Sequence, residues 1–178
     1  MTDLSNTMAA RPPAQSRPLL SLAMLGLSFA ACFGIAGLGA WVTREPVRGW
    51  YQSLAKPAGL TPPDIAFPII WNLLFAMMAL AAWLAWRRWQ RLETRGWGIW
   101  LLFGLQLGLN LLWSVLFFGL QQPAWALAEI GLLWLAILAC QRGFAGLDRR
   151  AGWLLLPYLA WVGYAALLNG LIVWLNRG

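Results

Sequence analysis

The side chains that could do chemistry in this chain are few, and most of them sit inside apolar runs. Gln106, Asn110 and Ser114 recur every four residues, so on a helix turning about 100° per residue they share one face. Amides and a hydroxyl in apolar surroundings either meet the polar edge of a ligand or hydrogen-bond one helix to another, and the spacing admits both. Gly104 and Gly108 fall on roughly the opposite face, a pair of small residues that lets another helix approach. Trp71 and Phe75 share a face on one run; Tyr158, Trp161, Ala165, Leu168 and Asn169 share one on another. Aromatic walls with small residues between them and one or two amides describe a site for a flat, mostly apolar ligand. Glu129 is a carboxylate within an apolar run, either a functional group of the bundle interior or a side chain near enough to the interface to reach water or a loop cation.

The composition excludes much else. There are no histidines, which removes the usual general base and the commonest zinc and haem-iron ligand. Neither a catalytic triad nor a carboxylate pair can be assembled, so no catalytic residue and no metal site are expected. GxxxxGK[ST] and GxGxxG are both missing, which argues against nucleotide binding. Cys32 and Cys140 lie in apolar runs without CxxC spacing and read as small buried hydrophobes.

The elements that must position these residues are membrane spans. Of 178 residues, 61% are hydrophobic and 11% charged, and the charges fall between long apolar runs. The expected fold is an all-α integral membrane protein, a five-transmembrane-helix bundle over residues 19–176 behind a disordered tail, 1–18. The spans are expected at about 19–41, 65–86, 96–120, 123–141 and 152–175, with a long ordered loop at 42–64. Gly34, Gly37 and Gly39 in the first span suit close helix approach. Only Gln121 and Gln122 precede Pro123 at the favoured first helical position, so the third and fourth spans form a tight hairpin.

The net charge of +7 fits topology better than a nucleic-acid partner, and none is expected. Nine cations (Arg11, Arg17, Arg87, Arg88, Arg91, Arg95, Arg142, Arg149, Arg150) fall on one side, and four (Arg44, Arg48, Lys56, Arg177) on the other. The positive-inside rule then puts the N-terminus in the cytoplasm, in a bacterial cell membrane, with an outer membrane as the alternative that would void the rule. Of the 14 tryptophans, Trp86, Trp89, Trp97, Trp100, Trp153 and Trp174 lie near span ends and are assigned to the interfacial belt.

The stretch Trp50–Trp71 differs from the rest. Its four prolines (Pro57, Pro62, Pro63, Pro68) disfavour helix, and a connection this long between apolar spans is usually functional, here an ordered cap over one end of the bundle. It reads WYxxLxKP, then PP, then FPxxW. With QLxLNxxW (Gln106–Trp113), FFG (Phe117–Gly119), WAL (Trp125–Leu127), PYLAW (Pro157–Trp161) and the later Leu168-Asn169, it resembles the translocator protein family, also called the tryptophan-rich sensory proteins and formerly the peripheral-type benzodiazepine receptors. Order and spacing hold from about residue 20 to 176; one departure is that four residues, not three, separate Lys56-Pro57 from Pro62-Pro63.

The resemblance implies a five-helix bundle, frequently a homodimer, that binds porphyrins and related tetrapyrroles as ligand, requires no cofactor, and contacts membrane lipid. The function implied is a sensor or regulator of tetrapyrrole metabolism; a transporter of tetrapyrroles or other small apolar ligands, or a light-dependent porphyrin-degrading enzyme, are the alternatives. Carried over residue by residue, the pocket would be Tyr51, Trp71, Phe75, Asn110, Trp113, Trp161, Ala165 and Leu168, with Trp71 and Trp161 as the photochemical pair if degradation occurs. The sterol motif of animal members is not retained, since Gly170 and Trp174 stand at its Tyr and Arg positions, and sterol binding is not expected.

Overall fold

A computed structural model describes residues 16–92 and 96–177. The helices are α1 (Ser16–Arg48), a single turn α2 (Trp50–Ser53), α3 (Ala66–Trp89), α4 (Gly98–Ser114), α5 (Pro123–Leu147) and α6 (Arg149–Leu175), and no strand occurs among the described residues. Five of them are long and apolar enough to cross a membrane: α1, α3, α4 with its continuation, α5 and α6. The protein is an integral membrane protein built as a five-helix bundle.

The spanning helices close a ring. α1 packs on α3, α3 on α6, α6 on α5, α5 on α4, and α4 returns to α1. α5 and α6 are separated by Asp148 alone, whose extended backbone (φ −147°, ψ 119°) breaks the helix. Its carboxylate caps α6 by accepting from Arg150 N at 2.8 Å and pairs with Arg88 at 3.5 Å. The two helices then cross closely: a Cβ on Gly152 would stand 2.5 Å from Ala145 Cβ. At the other end, α4 loosens into a π-helical turn, Val115–Gly119, closed by Leu120 N donating to Val115 O at 2.7 Å. Gln121 takes a positive φ of 54° before Pro123 starts α5.

Most helix ends run past the expected ones, while the α4 span, Gly98–Gly119, falls short of the expected 96–120 at both ends. Residues 42–48, expected in the loop, continue α1, and 50–53 form α2, so the irregular chain is only 54–65. Likewise α5 runs past Arg142 to Leu147 and α6 starts at Arg149 rather than 152. Hydropathy marks where a chain leaves hydrocarbon; a helix continues into the headgroup region because its backbone bonds are internal. Residues 1–15 of the expected tail, and 93–95 of the charged connection, lie outside the described residues, while Ser16–Pro18 already belong to α1.

Two further expectations are corrected. Trp86 and Trp89 are buried, 8% and 6% exposed, not in the belt. Trp89 meets Trp97 and Trp100 edge-on at 5.0 and 5.8 Å, so the inward face of α3 holds these rings although arginines flank them. Of the three α1 glycines expected to suit close approach, only Gly39 meets a neighbour, with its added Cβ 3.6 Å from Ser114 Oγ; Gly34 and Gly37 have open space.

Candidate functional site

Phe67, Trp71 and Phe75 stand at four-residue spacing on α3, so they form one stripe. The stripe meets α6. Trp71 lies edge-on to Tyr158 at 6.2 Å, and Phe67 lies edge-on to Trp161 at 6.0 Å. On its other side Phe75 reaches Phe33 of α1 at 6.4 Å. An aromatic wall therefore crosses the bundle from α1 through α3 to α6, with ring geometries of the attractive tilted and edge types.

Beside this wall is a groove of about 470 Å³, lined from α3 by Ile70, Leu73, Leu74 and Met77, and from α6 by Pro157, Ala160, Trp161 and Tyr164. That volume is in the range of small-molecule sites. Its lining is mostly apolar; the polar groups of its side chains are the Trp161 indole N–H and the Tyr164 hydroxyl, and the hydroxyl donates to Leu60 O in the loop. Ile69 and Leu73, exposed along the same stretch of α3, place the groove's mouth toward the bilayer. Trp161 belongs to both the wall and the groove; Trp71 faces the wall and does not line the groove.

Behind the wall lies a polar layer. Asn110 Nδ2 donates to Tyr158 Oη at 3.1 Å, with both residues buried. Ser114 Oγ donates to Asn110 O at 3.5 Å. Trp113 Nε1 donates to Asn169 Oδ1 at 3.3 Å, and Asn169 Nδ2 donates to Pro123 O at 2.9 Å, tying α4, α6 and the start of α5. Gln106 and Glu129 are buried, and among the described residues neither has a hydrogen-bond partner for its side-chain polar atoms. Ala165 packs at the edge of the main core, and Leu168 is buried.

Tyr51 belongs elsewhere. It is buried in a second aromatic cluster with Phe117, Ala126 and Ile172, 6.2 Å from the Phe117 ring and 5.6 Å from Phe118. Lys56 Nζ stands 4.5 Å over its ring. Burial, and secondarily the Asp64 carboxylate, push the Tyr51 phenol above its ordinary range. Trp113 packs against both clusters and so bridges them.

The loop lies along α6. Asn176 accepts from Ala55 N and donates to Ala55 O, each at 3.0 Å, and Tyr164 holds Leu60. Leu60 N donates to Pro57 O at 3.3 Å, and Gly59 in that turn has a φ of 76°. A positive φ at the third position of a turn suits glycine, and this turn holds the longer spacing before Pro62-Pro63. Sequence reasoning missed Asn176, Tyr164, Phe67 and Met77. Asn176 and Tyr164 are polar groups on an apolar helix, a signal that was present; the other two look like ordinary core.

A model described as the TspO/MBR family matches residues 28–175. The chain is 40% identical to a tryptophan-rich protein TspO of Chlorobaculum tepidum, over 85% of this chain and 95% of the relative. It is 37% identical to a tryptophan-rich sensory protein of Cereibacter sphaeroides, over 79% and 83%. It is 35% identical to the translocator protein of Bos taurus, over 74% and 78%.

Proposed function

The chain belongs to the TspO/MBR family, and from that premise we propose that it binds a tetrapyrrole of the porphyrin or haem type within the membrane and acts as a sensor or regulator of tetrapyrrole metabolism. The observation that carries this reading is the position of Trp161, which is part of the aromatic wall and also lines an apolar groove open to the bilayer. A flat macrocycle dissolved in the membrane reaches the groove from the side, without crossing a polar surface. Its face stacks on the indole of Trp161, and Trp71 with Tyr158 forms the wall behind. Asn110 acts through Tyr158, whose hydroxyl it holds in one orientation. No histidine is available to ligate iron, so the free-base porphyrin binds without metal. The name of the Cereibacter sphaeroides relative, a sensory protein, supports a regulatory rather than a metabolic role.

The same reading places the protein in a bacterial cell membrane with its N-terminus in the cytoplasm, as the arginine asymmetry favours. It also has two copies meeting through the Gly104/Gly108 face of α4. Both glycines are exposed, and a Cβ at either would meet nothing within 4 Å.

Titrating purified protein in detergent with protoporphyrin in the dark tests the proposal through quenching of tryptophan fluorescence. Saturable quenching at micromolar ligand supports binding, and millimolar affinity contradicts it. Light-dependent degradation is a second reading, favoured by the oxidisable indole of Trp161 at the groove. It predicts loss of porphyrin absorbance with protein under illumination and none in the dark.

A further inference from the structure

The end of the bundle that carries Arg142, Arg149 and Arg150 holds a recess that the tetrapyrrole site does not use. It lies between α5 and α6, has a volume of about 230 Å³, and is lined by Gln141, Ala145, Arg149, Trp153 and Leu156. Because the two helices diverge from the single residue Asp148, the recess sits where the apolar spans meet the charged connection. Its α6 side is graded along the helix. Arg149 is at the start, Trp153 follows one turn in, and Leu156 about one turn further. Trp153 and Leu156 are 66% and 36% exposed, so the recess opens sideways to the bilayer.

Among the described residues the charged end is short of an anion. The nearest carboxylate in sequence, Asp148, is already paired with Arg88 at 3.5 Å and caps Arg150 N at 2.8 Å. Arg149 has no ion-pair partner among the described residues. Gln141 commits one N–H to Gly152 O at 3.4 Å, which leaves its second N–H free to donate. A cation, an amide donor, an interfacial indole and an alkyl surface follow in the order in which a phospholipid presents phosphate, glycerol and acyl chain.

We propose that this recess binds an anionic phospholipid, with its phosphate on the Arg149 guanidinium and the Gln141 amide, and one acyl chain over Trp153 and Leu156. A free anion would use only the Arg149 end. The apolar half commits the site to a lipid.

Native mass spectrometry of the full chain in detergent, offered equal amounts of phosphatidylglycerol and phosphatidylcholine with matched chains, tests this. The wild type should retain phosphatidylglycerol about fivefold over phosphatidylcholine, as one surface cation at a membrane allows, and Arg149→Gln should remove that preference. Trp153→Ala should lower retention of both lipids. Arg150→Gln, a neighbouring cation outside the lining, should change neither, and millimolar inorganic phosphate should displace no lipid. All three substitutions alter exposed side chains, and an unchanged unfolding midpoint confirms that the bundle is intact. No headgroup preference in the wild type, or equal loss in Arg149→Gln and Arg150→Gln, would overturn the site in favour of diffuse surface charge. Displacement by phosphate, or full retention in Trp153→Ala, would reduce it to a simple anion contact and overturn the lipid assignment.

Discussion

Asn110 and Tyr158 carry most of what the interior asks of single residues. Tyr158 is fully buried, and Asn110 Nδ2 is its hydrogen-bond partner, so removing one side of the pair strands the other. Asn110→Ala should lower the stability of the detergent-solubilised protein by about 1 kcal/mol, within the range for an orphaned buried group. The double variant Asn110→Ala/Tyr158→Phe should recover part of that loss, because no hydroxyl is then left unpaired. Unfolding followed by circular dichroism reads both, and a double variant less stable than the sum of the singles would refute the pairing. The four-residue spacing of Gln106, Asn110 and Ser114 put them on one face of α4, and that face is indeed turned inward, with Gln106 and Asn110 buried and Ser114 half-buried. What spacing does not carry is the partner across the gap. The Asn110–Tyr158 bond joins residues 48 apart in sequence, and the separation of Tyr51 from Trp71 into two aromatic clusters depends on how α2 folds back on the π-helical turn.

Among the elements, the loop at 54–65 and the outer face of α4 carry the sharpest expectations. Asn176 makes two bonds to the backbone of Ala55, and substitution by alanine removes both. Asn176→Ala should raise amide hydrogen exchange at Ala55 by several fold, since a net hydrogen bond is worth about 1 kcal/mol, and leave exchange in α4 and α5 unchanged. Unaltered exchange at Ala55 would mean that the loop is held by Tyr164 and Leu60 alone. On α4, Gly104→Leu should abolish crosslinking of two copies while leaving the monomer folded, because the added side chain enters space that is empty in the single chain. An unchanged crosslinked dimer would place the interface elsewhere. Helix number was readable because each span is a long charge-poor run, and helix ends were not, because Arg44, Glu45 and Arg142 stop the hydropathy signal without stopping the helix. Trp86 and Trp89 misled for the same reason: Arg87 and Arg88 lie at the membrane edge, while the indoles beside them turn inward.

As a whole molecule, five spans place the start of α1 and the end of α6 on opposite sides of the bilayer, and the arginine-rich connections should face the cytoplasm. Single cysteines at Arg91 and Gln122, in a background without Cys32 and Cys140, should label from opposite sides; labelling from the same side would contradict the bundle's topology. Function at this scale rests on one relation: a groove open to lipid, walled by an indole that is also part of the bundle's aromatic wall. The direct test is the dark titration of tryptophan fluorescence with protoporphyrin in wild type, Trp161→Phe, Trp161→Ala and Trp71→Ala. Trp161→Phe should weaken binding modestly, because a ring remains, and Trp161→Ala by about tenfold or more, the equivalent of about 1.4 kcal/mol of lost stacking and burial. Trp71→Ala, one layer behind, should lose less than Trp161→Ala. Equal affinity in wild type and both alanine variants would contradict the account and leave the protein a five-helix membrane bundle whose ligand lies elsewhere.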